Sequence, residues 1–198
     1  MKQPTLPREL ILASTSRYRS ALLARLGLSF RVMPPDIPET PLAGESATRL
    51  TQRLATDKAQ AVSIIVPQAV VIGSDQVAVL DGQIMGKPGT AEKAREQLQR
   101  CSGKIAEFLT TVTVLCAETS FLQTATVATS AHFRTLTHQE IRRYIALDQP
   151  LDCAGSFKSE AAGPVLLEAM QSDDPTAIIG LPLISLSRML RAAGFALP

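Results

Sequence analysis

Two carboxylates and three cations in this chain occupy positions that suit chemistry better than solvation. Asp75 follows the apolar, β-branched run Val70-Val71-Ile72-Gly73-Ser74 and precedes Gln76-Val77. That pattern reads as a buried strand ending in Gly-Ser-Asp-Gln. A carboxylate at such a tip is rigid, yet it reaches the sheet edge where open α/β folds bind ligands. Capping a turn would suit the same Asp equally well. Glu39 lies in Pro34-Pro35-Asp36-Ile37-Pro38-Glu39-Thr40-Pro41, where four prolines in eight residues stiffen a loop. Its ordinary alternative is an exposed acid.

The cations are odd by placement. Lys58 interrupts an apolar helical stripe, four residues after Leu54 and four before Val62. A lysine there either snorkels out at the stripe's edge or meets an anion. Arg19 falls in the first turn of a helix, where the dipole prefers acids. A nearby phosphate would explain it, and so would plain solvation. Lys87 is held on the constrained turn Gly86-Lys87-Pro88-Gly89, or is simply a turn lysine.

The elements that must position these residues follow from periodicity and punctuation. Glu9–Ala13 reads as a strand, then Ser14-Thr15-Ser16, then a helix from Arg17 with Ser16 as N-cap and Gly27 as stop. Strand, small polar loop and helix N-terminus together form a ready anion site. Leu28–Met33 alternates as a second strand, and Glu45–Ile65 is a long helix whose stripe is Leu50, Leu54, Val62 and Ile65. Asp81-Gly82 marks a hairpin between Val77–Leu80 and Gln83–Met85. A helix from Thr90 to Cys101 comes next, then paired strands 106–115 and 124–133 around a break at 117–120. Thr137-His138-Gln139-Glu140 opens a capping-box helix through Leu147. Asp152–Glu160 is a small, polar, Gly-containing loop, and Val165–Met170 is a candidate strand. Asp173-Asp174-Pro175 is a turn with solvated acids, and a last amphipathic helix carries Leu183, Leu186, Met189 and Leu190.

Composition bounds the answer. The 198 residues suffice for a sizeable core, and the net charge of +2 points to no general nucleic-acid or membrane-surface binding. Three widely spaced cysteines suit reduced thiols in a cytoplasmic protein, and His132 and His138 have no ligand partners at metal spacing. Residues 1–7 show no apolar leader segment, and no run approaches membrane-spanning length.

Five motifs occur in order: Leu12–Arg19, Gly73-Ser74-Asp75-Gln76, Gly86-Lys87-Pro88, Ala154–Glu160 and Gly180-Leu181-Pro182-Leu183. Together they resemble the Maf-like nucleotide pyrophosphatases, most closely the branch acting on 7-methyl-GTP. The resemblance covers nearly the whole chain as one domain, 1–198. It implies an α/β fold of the Maf/ITPase type, with a curved mixed β-sheet flanked by helices and two lobes with an active-site cleft between them. It implies a divalent metal cation (Mg²⁺, Mn²⁺ or Co²⁺), a small-molecule nucleotide substrate, a cytoplasmic setting and a homodimer. The reaction would be hydrolysis between the α and β phosphates, releasing a monophosphate and diphosphate. The catalytic carboxylate falls on Asp75, which would orient or deprotonate the attacking water. Glu39 and Asp75 would hold the metal. Ser14, Ser16, Arg19, Lys58 and Lys87 would bind the phosphates. Tyr18, Gln76 and Glu160 would select the base.

The departures from the broad family pattern carry that base assignment. Ser-x-Ser-Pro-Arg-Arg here ends in Arg17, Tyr18 and Arg19; Gln76 stands where Thr is common, and Glu160 where Gln is usual. The 7-methyl-GTP branch has an aromatic, a Gln and a Glu there, the aromatic usually being Trp. N7-methylation makes the guanine ring cationic, and an aromatic face attracts a cation by roughly 0.5–2 kcal/mol. A carboxylate can accept from guanine N1–H and N2–H₂ together, which pyrimidines cannot match. Arg17 adds repulsion unless it points away. The competing expectations are the same chemistry on UTP, dTTP or another modified nucleotide, and a nucleotide-binding regulator of cell division without turnover.

Overall fold

The computed structural model describes residues 8–197; the leader expectation for residues 1–7 lies outside them. Among the described residues seven strands and five α-helices follow in the order β1 (Leu10–Ala13), α1 (Arg17–Ala24), β2 (Arg31–Val32), α2 (Ala47–Ile65), β3 (Val70–Leu80), β4 (Gln83–Met85), α3 (Ala91–Cys101), β5 (Ile105–Cys116), β6 (Phe121–Phe133), α4 (His138–Asp148), β7 (Leu167–Ser172) and α5 (Leu183–Ala192). Strand pairing follows the order β2-β1-β3-β5-β6-β7, with β4 on β3. Pairing is parallel between β1 and both β2 and β3, and antiparallel for β3 with β4 and for β6 with β7, so the sheet is mixed. This is the expected α/β class.

The chain forms two compact units, and it passes between them within β3, β5 and β6. The first comprises residues up to Asp75, Thr110–Thr126 and those from Gly180 onward. Its core includes Ile11, Ala13, Ala59, Val62 and Val71. The second comprises Gln76–Leu109 and Val127–Ile179. Its core joins Leu80, Leu98, Phe108, Phe133, Ile141 and Phe157.

Local chemistry sets the helix ends. Ser16, Ser46, Thr90 and Thr137 each accept from the backbone N–H three residues on, and Glu140 completes a capping box at Thr137. Five expectations need correction. The second strand shrinks to Arg31–Val32, both exposed, because the alternation of 28–33 has no sheet partner beyond two residues. Val77–Leu80 is not a separate strand but the end of β3. Ile65 is 65% exposed, since the last turn of α2 runs past the core. The candidate strand at 165–170 starts as a 3-10 turn, Gly163–Leu166, with Pro164 at its beginning; β7 follows two residues later than expected. Asp174 is buried rather than solvated, because its carboxylate accepts from Thr176 N (3.0 Å) and Thr176 Oγ1 (2.6 Å).

Candidate active site

The first unit brings Asp75, Lys58 and Glu39 to one point. Asp75 is not at a strand tip: β3 runs on through Leu80, and the carboxylate is buried in mid-strand. The polar triplet Ser74-Asp75-Gln76 looks like an end in the sequence, but backbone pairing is indifferent to side-chain polarity once those side chains are satisfied. Alternation along β3 puts Gly73 and Asp75 on the same face and Ser74 on the other. A Cβ at Gly73 would stand 2.1 Å from the Ala55 carbonyl oxygen and 2.8 Å from the Ala59 nitrogen. Only a glycine therefore lets α2 lie this close to β3. That close approach delivers Lys58, on the same helical face as Ala55 and Ala59, to the neighbouring Asp75.

Lys58 is buried, and its Nζ lies 2.7 Å from Asp75 Oδ1 and 2.8 Å from Glu39 Oε1. The lysine on the apolar stripe thus meets anions rather than snorkelling. A buried ion pair is a poor stability device, since apolar replacement is often neutral or better, while removing one partner costs about 3–5 kcal/mol. Its presence here suits a reacting site. Glu39 stays half exposed on its proline loop, and that loop is tethered. Arg53 Nη2 donates to Thr40 O at 3.2 Å, and the same guanidinium grips Glu45 through Nε (2.7 Å) and Nη2 (2.8 Å). This Arg53 grip, helped by the Leu42 N–H, holds the Glu45 carboxyl down at about 2. Sequence reasoning missed Arg53 and Glu45, because spacing within a polar helix face says nothing about a loop folding back.

Arg19, Ser14 and Ser16 form a second group in the same unit. Arg19 Nε donates to Gly180 O at 2.9 Å and Nη1 reaches Ser14 Oγ at 3.4 Å. Ser74 Oγ donates to the same Gly180 carbonyl at 3.0 Å. Ser14 Oγ also accepts from Ser16 N (3.1 Å), and Ser16 Oγ accepts from Arg19 N (3.4 Å). Burial pulls the Arg19 guanidinium below its ordinary value, opposed by the charges of Asp75 and Glu39. The arginine thus lies in the field of both acids. Tyr18, one residue back, is half-buried, and Arg17 does not point away from it. The Arg17 guanidinium carbon sits 4.8 Å from the Tyr18 ring centre, and its Nη2 donates to the phenol oxygen at 2.8 Å.

The expected residues of the second unit are held differently. Lys87 is exposed on its turn, where Gly86 O accepts from Gln97 Nε2 at 3.1 Å. Gln97 Oε1 in turn accepts from Ser156 Oγ at 2.6 Å, so one side chain of α3 ties the Lys87 turn to the 152–160 loop. The sequence showed no reason to single out Gln97. Gln76 Nε2 donates to Ala177 O (3.0 Å) and Ile178 O (2.9 Å), which makes it a strut for that segment. Glu160 is exposed.

Carboxylate oxygens are the donors hard divalent cations prefer, and two of them converge on Lys58 Nζ with one net negative charge left between the three groups. Among the described residues no group of three or more His, Cys, Asp or Glu could hold a metal ion. Two carboxylates suffice where substrate phosphates complete the shell, as is usual for Mg²⁺. The arrangement sets two carboxylates and a buried ammonium at one point, the donor chemistry that a polyphosphate with a divalent cation would call on.

Comparison with known proteins bears on the family. The family model described as Maf-like protein matches residues 9–193. A protein of Aromatoleum aromaticum named 7-methyl-GTP pyrophosphatase is 53% identical over 96% of this chain and 98% of its own length. Proteins of the same name from Polaromonas sp. and Xanthomonas campestris pv. campestris are each 52% identical, covering 96% and 98% of this chain and 87% and 100% of their own lengths. Among solved structures, the Staphylococcus aureus Ham1 protein aligns with a TM-score of 0.53 at 12% identity, covering 94% of this chain and 100% of that one, which is a likeness of fold alone. With one family model spanning both units and relatives at half identity along the full length, the chain belongs to the Maf-like proteins.

Proposed function

We propose that this protein is a metal-dependent nucleoside triphosphate pyrophosphatase that hydrolyses 7-methyl-GTP to 7-methyl-GMP and diphosphate. The observation that carries the chemistry is the Asp75–Lys58–Glu39 convergence beside Arg19. The shared name of the relatives supports the base. Asp75, rigid in β3, orients the water that attacks the α-phosphorus and accepts its proton. Lys58 holds the Asp75 carboxylate in place by a charge-assisted hydrogen bond. Arg19, Ser14, Ser16 and the N-terminus of α1 receive phosphate oxygens. Lys87 offsets charge on the diphosphate leaving group. Glu39 and Asp75 hold the divalent cation, which when bound neutralises phosphate charge. Tyr18 and Glu160 select the base, the first by its aromatic face and the second by accepting from the guanine edge, with Gln76 holding its surroundings.

One observation favours a second reading, the same cleavage with UTP or dTTP. The ring of Tyr18 already carries the Arg17 guanidinium, so a cationic base must share or displace it. Turnover of 7-methyl-GTP, GTP, UTP and dTTP side by side separates the two. The highest kcat/KM is expected for 7-methyl-GTP, and a preference for the pyrimidines would refute the base assignment. Excess EDTA should abolish diphosphate release; undiminished turnover in it would remove the metal from the scheme. A cytoplasmic homodimer is part of the same proposal. No helix of the described residues is long and apolar enough to cross a membrane, and sedimentation at micromolar concentration tests the dimer.

A further inference from the structure

Glu160 stands exposed within a short loop, and that loop is clamped at both ends to the C-terminal end of α4. On one side, Lys158 N donates to the Tyr144 phenol oxygen at 2.9 Å. The buried Lys158 Nζ donates to two carbonyls at the end of α4, Asp148 O (2.5 Å) and Gln149 O (3.3 Å). An ammonium there satisfies carbonyls that the helix leaves open and complements its dipole. On the other side, Ala162 N donates to Asp148 Oδ2 at 2.9 Å. The loop closes on itself where Gly163 N donates to Lys158 O at 3.0 Å. A Cβ at Gly163 would lie 2.1 Å from that carbonyl oxygen, so the closure demands glycine. Just before the loop, the Phe157 ring is wedged between Phe108 and Phe133, with centroids 5.7 and 5.6 Å away.

We infer that Asp148 and Lys158 are positioning residues that set Glu160 in the pose from which it selects the base. This rests on the reading above that Glu160 faces the base. Two charged groups at one helix end grip the two flanks of a loop only a few residues long, leaving Glu160 between the grips. Ser159 Oγ, inside the loop, is buried with no hydrogen-bond partner among the described residues, so no side-chain bond from Ser159 adds to the backbone closure at Lys158 O. Neither Asp148 nor Lys158 touches substrate in this scheme; both act through the carboxylate they hold.

The test compares kcat and KM for 7-methyl-GTP and UTP in Asp148→Ala, Asp148→Asn, Lys158→Met, Glu160→Gln and the double variant Asp148→Ala/Glu160→Gln. A displaced contact group can cost up to about a hundredfold, so Asp148→Ala should raise KM for 7-methyl-GTP about tenfold while kcat stays within about twofold. KM for UTP should not follow. Asp148→Asn keeps an acceptor oxygen and should restore the preference. The double variant should be no worse than Glu160→Gln alone, because the two residues act as one unit. Full preference in folded Asp148→Ala, or multiplied losses in the double variant, would overturn the clamp while leaving the base assignment standing. Unchanged preference in Glu160→Gln would overturn the base assignment, and the clamp's role with it. Should Asp148→Ala not fold, Lys158→Met carries the same expectations and the same refutations.

Discussion

The two units secure their charged side chains by different means. In the first, Asp75 and Lys58 project from a central strand and a long helix, both are buried, and each fixes the other. In the second, Lys87 and Glu160 project from a turn and a loop, both are exposed, and other residues fix their backbones: Gln97 for one, Asp148 and Lys158 for the other. The contrast suits two tasks. Proton transfer at phosphorus, the part proposed for Asp75 with Lys58, tolerates little displacement, and regular structure suits it. Base selection can be retuned by changing a loop without disturbing the core.

Breaking the first unit should have the largest effect. Asp75→Asn should lower diphosphate release by about 10³-fold, within the range of general base catalysis, while nucleotide binding survives. Detection by ³¹P NMR, with binding by calorimetry, checks both halves; equal activity would remove Asp75 from the mechanism. Next comes the close approach that delivers Lys58. Gly73→Ala should destabilise the fold by at least about 2 kcal/mol in urea titration, as overpacking does, and lower activity in the protein that remains folded. Unchanged stability would mean that α2 and β3 do not meet as described.

Breaking the second unit should cost selectivity instead. Losing a charged acceptor is worth about 1.5–3 kcal/mol, so Glu160→Gln should cut the preference for 7-methyl-GTP over UTP by at least about tenfold with kcat little changed. The smallest effect sharpens the comparison through pH. Among the described residues each unit has one partly buried glutamate held at about 2: Glu45 chiefly by Arg53, and Glu140 by the Thr137 backbone N–H, the Thr137 hydroxyl and Arg134. Their folded values lie below the ordinary 4.5, so the stability they lend is complete above that pH and is lost as pH falls toward 2. Glu45→Gln and Glu140→Gln should each flatten acid unfolding over that window. Only Glu45→Gln should also slow turnover at neutral pH, because Arg53 holds the Glu39 loop. Equal loss of activity in both would erase the distinction.

Legibility in the sequence followed how local each signal is. Capped helices such as those beginning after Ser16, Thr90 and Thr137 were readable, because the cap and the helix it starts lie within four residues, whereas α2 was read from Glu45, two residues before its start after Ser46. The Asp81-Gly82 hairpin was readable for the same reason: both residues adopt the positive φ that such a tight turn requires. The extent of β2, the continuity of β3 through Asp75 and the burial of Asp174 were not. Each depends on a partner far away in the chain or on a side-chain bond that periodicity does not encode.

By itself the sequence determined the α/β class, the family and the set of chemically odd residues. These rest on short-range patterning and on motifs that keep their order along the chain. Tertiary structure alone decided that Lys58 bridges two acids, that Arg53 tethers the loop bearing Glu39, that Arg17 stacks on Tyr18 and that the end of α4 grips the loop bearing Glu160. Spacing can mark a charge as misplaced on its helix or loop. Which opposite charge or carbonyl meets it depends on how elements pack, and a single close approach at Gly73 decides the most consequential of those meetings.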